Sequence, residues 1–213
     1  MKIFLIRHGE GENTEEAWQT PQTALSEKGI KQAMSLAGLS RFKVMDELLS
    51  SDWTRAQQTA EIVGREINKP IKILKEIHEK EQSSKIYGLS RTDPLAEQYA
   101  KDLVKHASDY NYKWDPEEES WAELVNRVIN FKIYLIENYL ENNIAVFSHD
   151  MFIRTFITAC ALNDDFNTDQ FKSMFRSLNI SNAGISFLVY REGQKTWKLW
   201  YLNECTHLWT AKS

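Results

Sequence analysis

Arg7 and His8 stand side by side at the end of an apolar run, residues 3–6, and Gly9 follows at once. An imidazole of ordinary pKa, about 6.5, keeps a lone pair near neutrality and is a candidate nucleophile. A guanidinium offers a planar fork of donors suited to a phosphate. Three more stretches have the same form. Val44–Leu49 is apolar-rich and ends in Ser50-Ser51-Asp52, ahead of a helical segment carrying Arg55. Ile71–Leu74 runs into Glu76, His78, Glu79 and Glu81, and Ile144–Phe147 runs into Ser148-His149-Asp150. Two histidines, two arginines and several carboxylates form the set needed for phosphoryl transfer through a covalent phosphohistidine. An imidazole nitrogen attacks phosphorus, and cations stabilise the charge on the phosphoryl oxygens. A carboxylic acid protonates the departing ester oxygen and then activates water. No metal or other cofactor is required by this chemistry.

The elements that position these groups follow from the apolar pattern. Four apolar residues in a row before Arg7 predict a strand buried on both faces, as in a parallel sheet covered by helices. Ligands of such sheets bind outside the carboxyl ends of the strands. Parallel strands therefore bring all four ionisable ends to one edge. Met151–Leu162 reads as an apolar helix, with Asp150 as its N-cap. Between the third and fourth motifs, Tyr87–Asp93 reads as a loop, and Asp93 before Pro94 as a helix start. Leu95–Ala107 has helical spacing, Trp114–Pro116 breaks it, and Glu117–Tyr139 reads as a long amphipathic helix. Glu117, Glu118 and Glu119 are expected in its first turn, where the helix dipole favours acids. Ile185–Tyr190 and Thr196–Leu202 alternate like a hairpin turning at Glu192-Gly193-Gln194, extending the sheet at an edge. Trp197, Trp200 and Trp209 are expected to supply packing mass.

At 213 residues and 42% hydrophobic content, the chain is long enough for one layered α/β domain spanning 1–213. A net charge of −4 with 26% charged residues argues against a nucleic-acid-binding surface. No apolar run approaches the length needed to cross a bilayer, so no membrane partner is expected. A cleaved leader is not expected either, since the first residues already form the strand that carries His8. Cys160 and Cys205 fit no metal or redox spacing, and Cys160 reads as a small core residue. These features point to the cytoplasm and to a small-molecule phosphomonoester as partner. The hairpin edge leaves room for a homodimer.

Arg7-His8-Gly9-Glu10, with Leu25-Ser26-Glu27-Lys28-Gly29 and Gln32-Ala33, resembles the opening of the histidine phosphatase superfamily, also called phosphoglycerate mutase-like. The stretch from Ser50 to Ala60, including Thr54-Arg55-Ala56, resembles its second motif, and Phe147-Ser148-His149 its third. The matches run in family order across nearly the whole chain. The resemblance implies a three-layer α/β/α sandwich around a mostly parallel sheet. It also implies a helical insertion, about residues 80–142, over the active site that selects the leaving group. Arg91, Lys85, Tyr87 and Trp114 are the substrate contacts it would offer.

By the same resemblance His8 is the phosphorylated nucleophile, and Arg7, Arg55 and His149 complete the phosphate pocket. The family's proton donor is a glutamate in a Leu-x-Glu pattern. That pattern fits both Leu74-Lys75-Glu76 and Ile77-His78-Glu79. Glu79 is favoured, because the following Lys80–Gly88 run resembles a phosphatase branch with its acid in that register. Two departures stand out. Gly11 and Thr14 occupy positions where members often carry Thr or Ser and Asn, leaving Thr14 to donate one hydrogen bond to phosphate. Asp150 replaces the usual Gly after the second histidine. The implied activity is that of a phosphomonoesterase of the histidine acid phosphatase type. The alternatives are phosphoglycerate mutase-type transfer, which would need a more cationic pocket, and a catalytically weak regulatory binding protein of the same fold.

Overall fold

Alternation along the first strand, β1 (Lys2–Arg7), divides the core in two. Ile3 and Leu5 enter one apolar cluster and Phe4 and Ile6 the other, all four buried. A fourth strand, β4 (Asn143–Ser148), repeats this division, with Ile144 and Val146 on one face and Ala145 and Phe147 on the other. A sheet apolar on both faces must be covered on both, which requires a three-layer arrangement. The computed structural model, which describes residues 1–13, 15–163 and 166–209, has that arrangement.

The remaining strands are β2 (Glu47–Ser51), β3 (Ile71–Leu74), β5 (Ile185–Arg191) and β6 (Thr196–Glu204). The sheet order is β3-β2-β4-β1-β5-β6. The first four in this order run parallel, and the β5–β6 hairpin lies antiparallel beside β1, extending the sheet at one edge. One face is covered by α1 (Glu27–Ala37) and α2 (Thr54–Glu66), which pack Leu36, Ala60 and Val63 on it. The other is covered by α4 (Trp121–Tyr139) and α5 (Asp150–Ala161), through Leu124, Val128, Phe131, Leu135, Phe152 and Phe156. About a third of the 80–142 segment, helix α4, is thus a layer helix rather than a lid. Its other helix, α3 (Pro94–Lys105), begins as expected, with Asp93 capping the Leu95 N–H and Pro94 in the first turn. Helix α6 (Thr168–Ser177) is closed by a capping box from Asn167 and Gln170.

Several local expectations are corrected. Residues Ser40–Val44 wind as a 3₁₀ turn that leaves Val44 65% exposed, so the second strand begins only at Glu47. Helix α4 starts at Trp121, because Ser120 and Glu123 form a reciprocal capping box that stops it from extending backwards. Glu117, Glu118 and Glu119 therefore precede the helix instead of occupying its first turn. Glu118 is buried, accepting from the Tyr99 hydroxyl and from the Trp114 N–H at 2.9 Å. Of the three tryptophans expected to pack, Trp197 does so against Phe156 and Tyr190. Trp200 is 63% exposed on β6, the outermost strand, and Trp209 is 74% exposed just after a short 3₁₀ turn that follows β6. Among the described residues no helix is long and apolar enough to cross a membrane.

Candidate active site

Parallel register aligns Arg7 with Ser148, Ser50 with Phe147 and Ser51 with Leu74. The residues that follow each strand are thereby delivered to one sheet edge. Backbone bonds fix the end of β1: His8 donates to the Ser148 carbonyl at 3.0 Å, and Ala183 donates to the Arg7 and His8 carbonyls at 3.0 and 3.1 Å. The turn after His8 is held by α2, where the Thr59 hydroxyl accepts the Gly9 N–H at 3.1 Å.

Glycine is required where this turn meets the start of α1. A Cβ on Gly9 would overlap the Gly29 carbonyl, and one on Gly29 would overlap the Glu10 backbone. Because the obstacle is backbone on both sides, no rotamer change relieves it. Gly29→Ala is expected to destabilise by about 2–3 kcal/mol, as overpacked core sites do. In a chain of this size that lowers the melting temperature by about 5–10 °C, which a thermal denaturation scan measures directly.

His8 is buried, 3% exposed, with Nδ1 2.6 Å from its neighbour's carbonyl, Gly9 O. A carbonyl only accepts, so Nδ1 carries the proton and Nε2 the lone pair. That lone pair receives the Nε–H of Arg55 at 2.9 Å. The sheet edge, Arg55 and His149 enclose the ring. His149 is fully buried, its ring 4.9 Å from that of His8 and its Nε2 2.9 Å from Ser51 Oγ. Its Nδ1 is buried with no hydrogen-bond partner among the described residues. Trp53 packs its edge on His149 at 5.1 Å, stacks on His78 at 5.8 Å, and carries the Arg55 guanidinium 4.9 Å from its ring centre. Arg7 donates to the Ile180 carbonyl at 2.5 Å, while its buried Nε has no partner among the described residues.

Burial, reinforced by Arg55 and Arg7, holds the His8 imidazolium form well below its ordinary range. Burial, Arg55 and His8 do the same to His149. Burial brings Arg55 down to about 10, which leaves it cationic at neutral pH. The edge therefore presents neutral imidazoles beside fixed positive charge.

Glu79 lies against the start of α5. Its Oε1 accepts from the N–H groups of Lys80, Met151 and Phe152 at 3.1, 3.0 and 3.2 Å, and its Oε2 from Met151 at 3.3 Å. Glu79 thereby caps α5 from outside, the role expected of Asp150. The cap position itself is His149, in extended conformation, and Asp150 is the first helical residue. The Asp150 carboxylate turns to Arg154, 3.2 Å away. Burial and then Asp150 raise the Glu79 pKa, against the pull of Arg55 and the amide N–H groups. Glu76 is exposed and lines a separate groove with Leu74, Asn130 and Tyr134.

The remaining expected contacts divide. Tyr87 is half-buried, its hydroxyl 3.4 Å from the Gln82 N–H and within electrostatic reach of Arg55. Lys85 pairs with Asp115 at 2.5 Å, Trp114 donates to Asp102 at 3.1 Å, and Arg91 lies over Trp18 at 5.0 Å. Gly11 bridges to Leu25, and Thr14 lies outside the described residues.

One residue the sequence did not single out is Arg127, on α4. Its guanidinium grips Glu119 with two bonds of 2.7 Å and reaches the carbonyls of Glu76 and His78 at 2.9 Å and of Glu79 at 3.3 Å. None of these five bonds could be found from local spacing. Glu119 is eight residues away, and the carbonyl partners are 48 to 51 residues away.

Comparison with known proteins places this geometry in context. The family model described as the histidine phosphatase superfamily (branch 1) matches residues 3–203. The adenosylcobalamin/alpha-ribazole phosphatase of Escherichia coli K12 is 28% identical over 151 residues, covering 70% of this chain and 73% of that protein. Its Salmonella typhimurium counterpart is 40% identical over 83 residues, 37% of this chain and 40% of that protein. Among solved structures, the alpha-ribazole phosphatase of Shigella flexneri superposes with a TM-score of 0.78 at 24% identity, over 96% of each chain. A mutant phosphoserine phosphatase from Entamoeba histolytica, with phosphoserine bound, gives 0.77 at 22% identity over 97% of this chain and 98% of that one. At such identities the two structures establish a shared fold.

Proposed function

Because this chain belongs to the histidine phosphatase superfamily, we propose that it hydrolyses phosphomonoesters through a phosphohistidine formed on Nε2 of His8. The observation that carries this reading is the state of that nitrogen: Nδ1–H is committed to the Gly9 carbonyl, so Nε2 holds its lone pair beside Arg55. In the first step Nε2 attacks phosphorus and the P–O ester bond breaks. Glu79 gives its proton to the departing alkoxide from Oε2, the less engaged of its two oxygens. Arg55 turns its Nε–H from His8 to a phosphoryl oxygen, and Arg7 and the unpartnered His149 Nδ1 take the others. Thr14 is proposed as a further donor to phosphate. In the second step Glu79, now a carboxylate, removes a proton from water, whose oxygen attacks phosphorus. The P–N bond breaks, and His8 recovers its lone pair.

Hydrolysis is favoured over mutase transfer by the pairing of cations in the 80–142 segment. Lys80 pairs with Glu118 at 3.4 Å, Lys85 with Asp115 at 2.5 Å and Arg127 with Glu119 at 2.7 Å. These charges are neutralised locally and do not assemble a second phosphate subsite. The names of the relatives suggest alpha-ribazole phosphate and phosphoserine as the first esters to test after p-nitrophenyl phosphate.

The test is rapid acid-quench of chelator-treated protein mixed with p-nitrophenyl phosphate. A burst of acid-labile phosphoenzyme followed by steady release of phosphate is expected. Turnover only in the presence of 2,3-bisphosphoglycerate would assign a mutase instead. Absence of both turnover and phosphoenzyme would assign a binding protein.

A further inference from the structure

We infer that Arg127 is a positioning residue for the general acid: its guanidinium ties helix α4 of the 80–142 segment to the loop that carries the Glu79 carboxylate. The inference rests on the hydrolytic reading above and adds to it the part of the fold that assembles the acid.

Glu79 follows a short 3₁₀ turn, Lys75–Ile77, at the end of β3. The strand's four residues are half-buried or exposed, and the turn is anchored by Ile77, which is buried in the core and accepts the Ser148 hydroxyl at its carbonyl at 2.6 Å. Arg127 restrains the residues on either side of that anchor. It reaches from α4, which is anchored in the core by Leu124, Val128 and Phe131, and binds three carbonyls of the acid-bearing loop. On its other side it forms a two-pronged pair with Glu119. The pair is largely buried, with side chains 15% and 9% exposed, so its geometry is not loosened by solvent. Glu119 is itself joined to the same loop, its N–H donating to the Glu81 carbonyl at 3.1 Å and its carboxylate accepting the Glu81 N–H at 3.3 Å. The guanidinium also lies 5.4 Å from the centre of the Phe152 ring. The N–H of that same Phe152 holds Glu79 Oε1. Arg127 therefore contacts both the loop that carries the acid and the helix start that receives it. Lysine cannot reproduce this arrangement, since a point charge cannot span a carboxylate fork and three carbonyls at once.

If Arg127 acts through Glu79, its loss must depend on the leaving group. p-Nitrophenolate departs without a proton, whereas an alkoxide needs one. The experiment compares the single-turnover rate of phosphoenzyme formation from p-nitrophenyl phosphate and from an alkyl phosphate, in wild type, Arg127→Met and Arg127→Lys. Arg127→Met is expected to slow phosphorylation by the alkyl ester about thirty-fold, part of the 10²–10⁴-fold a placed acid supplies, and by p-nitrophenyl phosphate less than about threefold. Arg127→Lys is expected to fall between Met and wild type on the alkyl ester alone. Equal slowing on both esters, or no slowing on either, would overturn the inference. Should Arg127→Met fail to fold, Arg127→Lys decides by the same split. Wild type without phosphoenzyme would instead refute the hydrolytic reading, so the two failures are distinguishable.

Discussion

His8→Ala is expected to form no phosphoenzyme and to lose about four orders of magnitude or more in kcat, the scale on which removal of a nucleophile acts. No other imidazole can substitute. His149 is held at its Nε2 by Ser51 and lies with its ring centre 4.9 Å away, and His78 is stacked on the far side of Trp53. Phosphoenzyme persisting in the variant would remove His8 from the mechanism. The same variant has a readable effect on stability. Loss of the imidazole leaves Arg55 Nε–H and the Gly9 carbonyl without their partner, at a cost of about 1–3 kcal/mol. That cost should depend on pH. Burial and the two arginines depress the folded-state pKa of His8 below its unfolded value. As pH falls through about 6.5, the unfolded chain takes up a proton that the folded site refuses, and wild-type stability declines. The alanine variant lacks this contribution, while burial and Arg55 keep the His149 pKa depressed in both proteins. The gap in melting temperature between wild type and His8→Ala should therefore narrow from pH 7.5 to pH 5.5. A constant gap would mean that His8 takes up its proton as readily in the native state as in the unfolded chain.

How much of this was legible in the chain depended on the range of the interactions. Residues 3–6 and 144–147 announce buried strands because an unbroken apolar run has no other economical fate in a covered sheet. The four motifs could be assigned to one edge because parallel register follows from that burial. Asp93-Pro94 marked a helix start through purely local chemistry, and it holds. The failures occur where a distant group replaced a local one. Asp150 is a good N-cap by residue type, yet Glu79 takes the N–H of Met151, 72 positions later, and leaves Asp150 to Arg154. Glu117 to Glu119 look like first-turn acids, but Ser120 and Glu123 close the helix behind them, and Glu118 and Glu119 become buried partners of Lys80 and Arg127. Val44 opens an apolar-rich stretch, but it is the last residue of a 3₁₀ turn and the strand begins only at Glu47. Arg127 was invisible for the same reason, since nothing within one helical turn of it marks its role.

The choice between the two Leu-x-Glu registers gives the second large effect. Glu79→Gln keeps the shape of the side chain but can neither give nor take a proton. Phosphorylation of His8 by p-nitrophenyl phosphate should then stay within about threefold of wild type, while phosphorylation by an alkyl ester falls about 10²–10⁴-fold. Because the same carboxylate must activate water in the second step, the phosphoenzyme should accumulate and decay slowly. Glu76→Gln should leave both steps unchanged, for Glu76 is exposed and lines a groove with Asn130 and Tyr134, apart from the imidazole pair. The pH profile adds a signed test. Burial and Asp150 raise the Glu79 pKa, so the acid form survives to higher pH than for an ordinary carboxylic acid, and the alkyl-ester rate should fall as pH rises through that raised value. Asp150→Asn removes a like charge while Arg55 remains, which should move this limb to lower pH without changing the p-nitrophenyl limb. If Glu76→Gln produced the accumulated phosphoenzyme instead, the acid would belong to the register one helical turn earlier, and the amide cradle at the start of α5 would serve only to cap that helix.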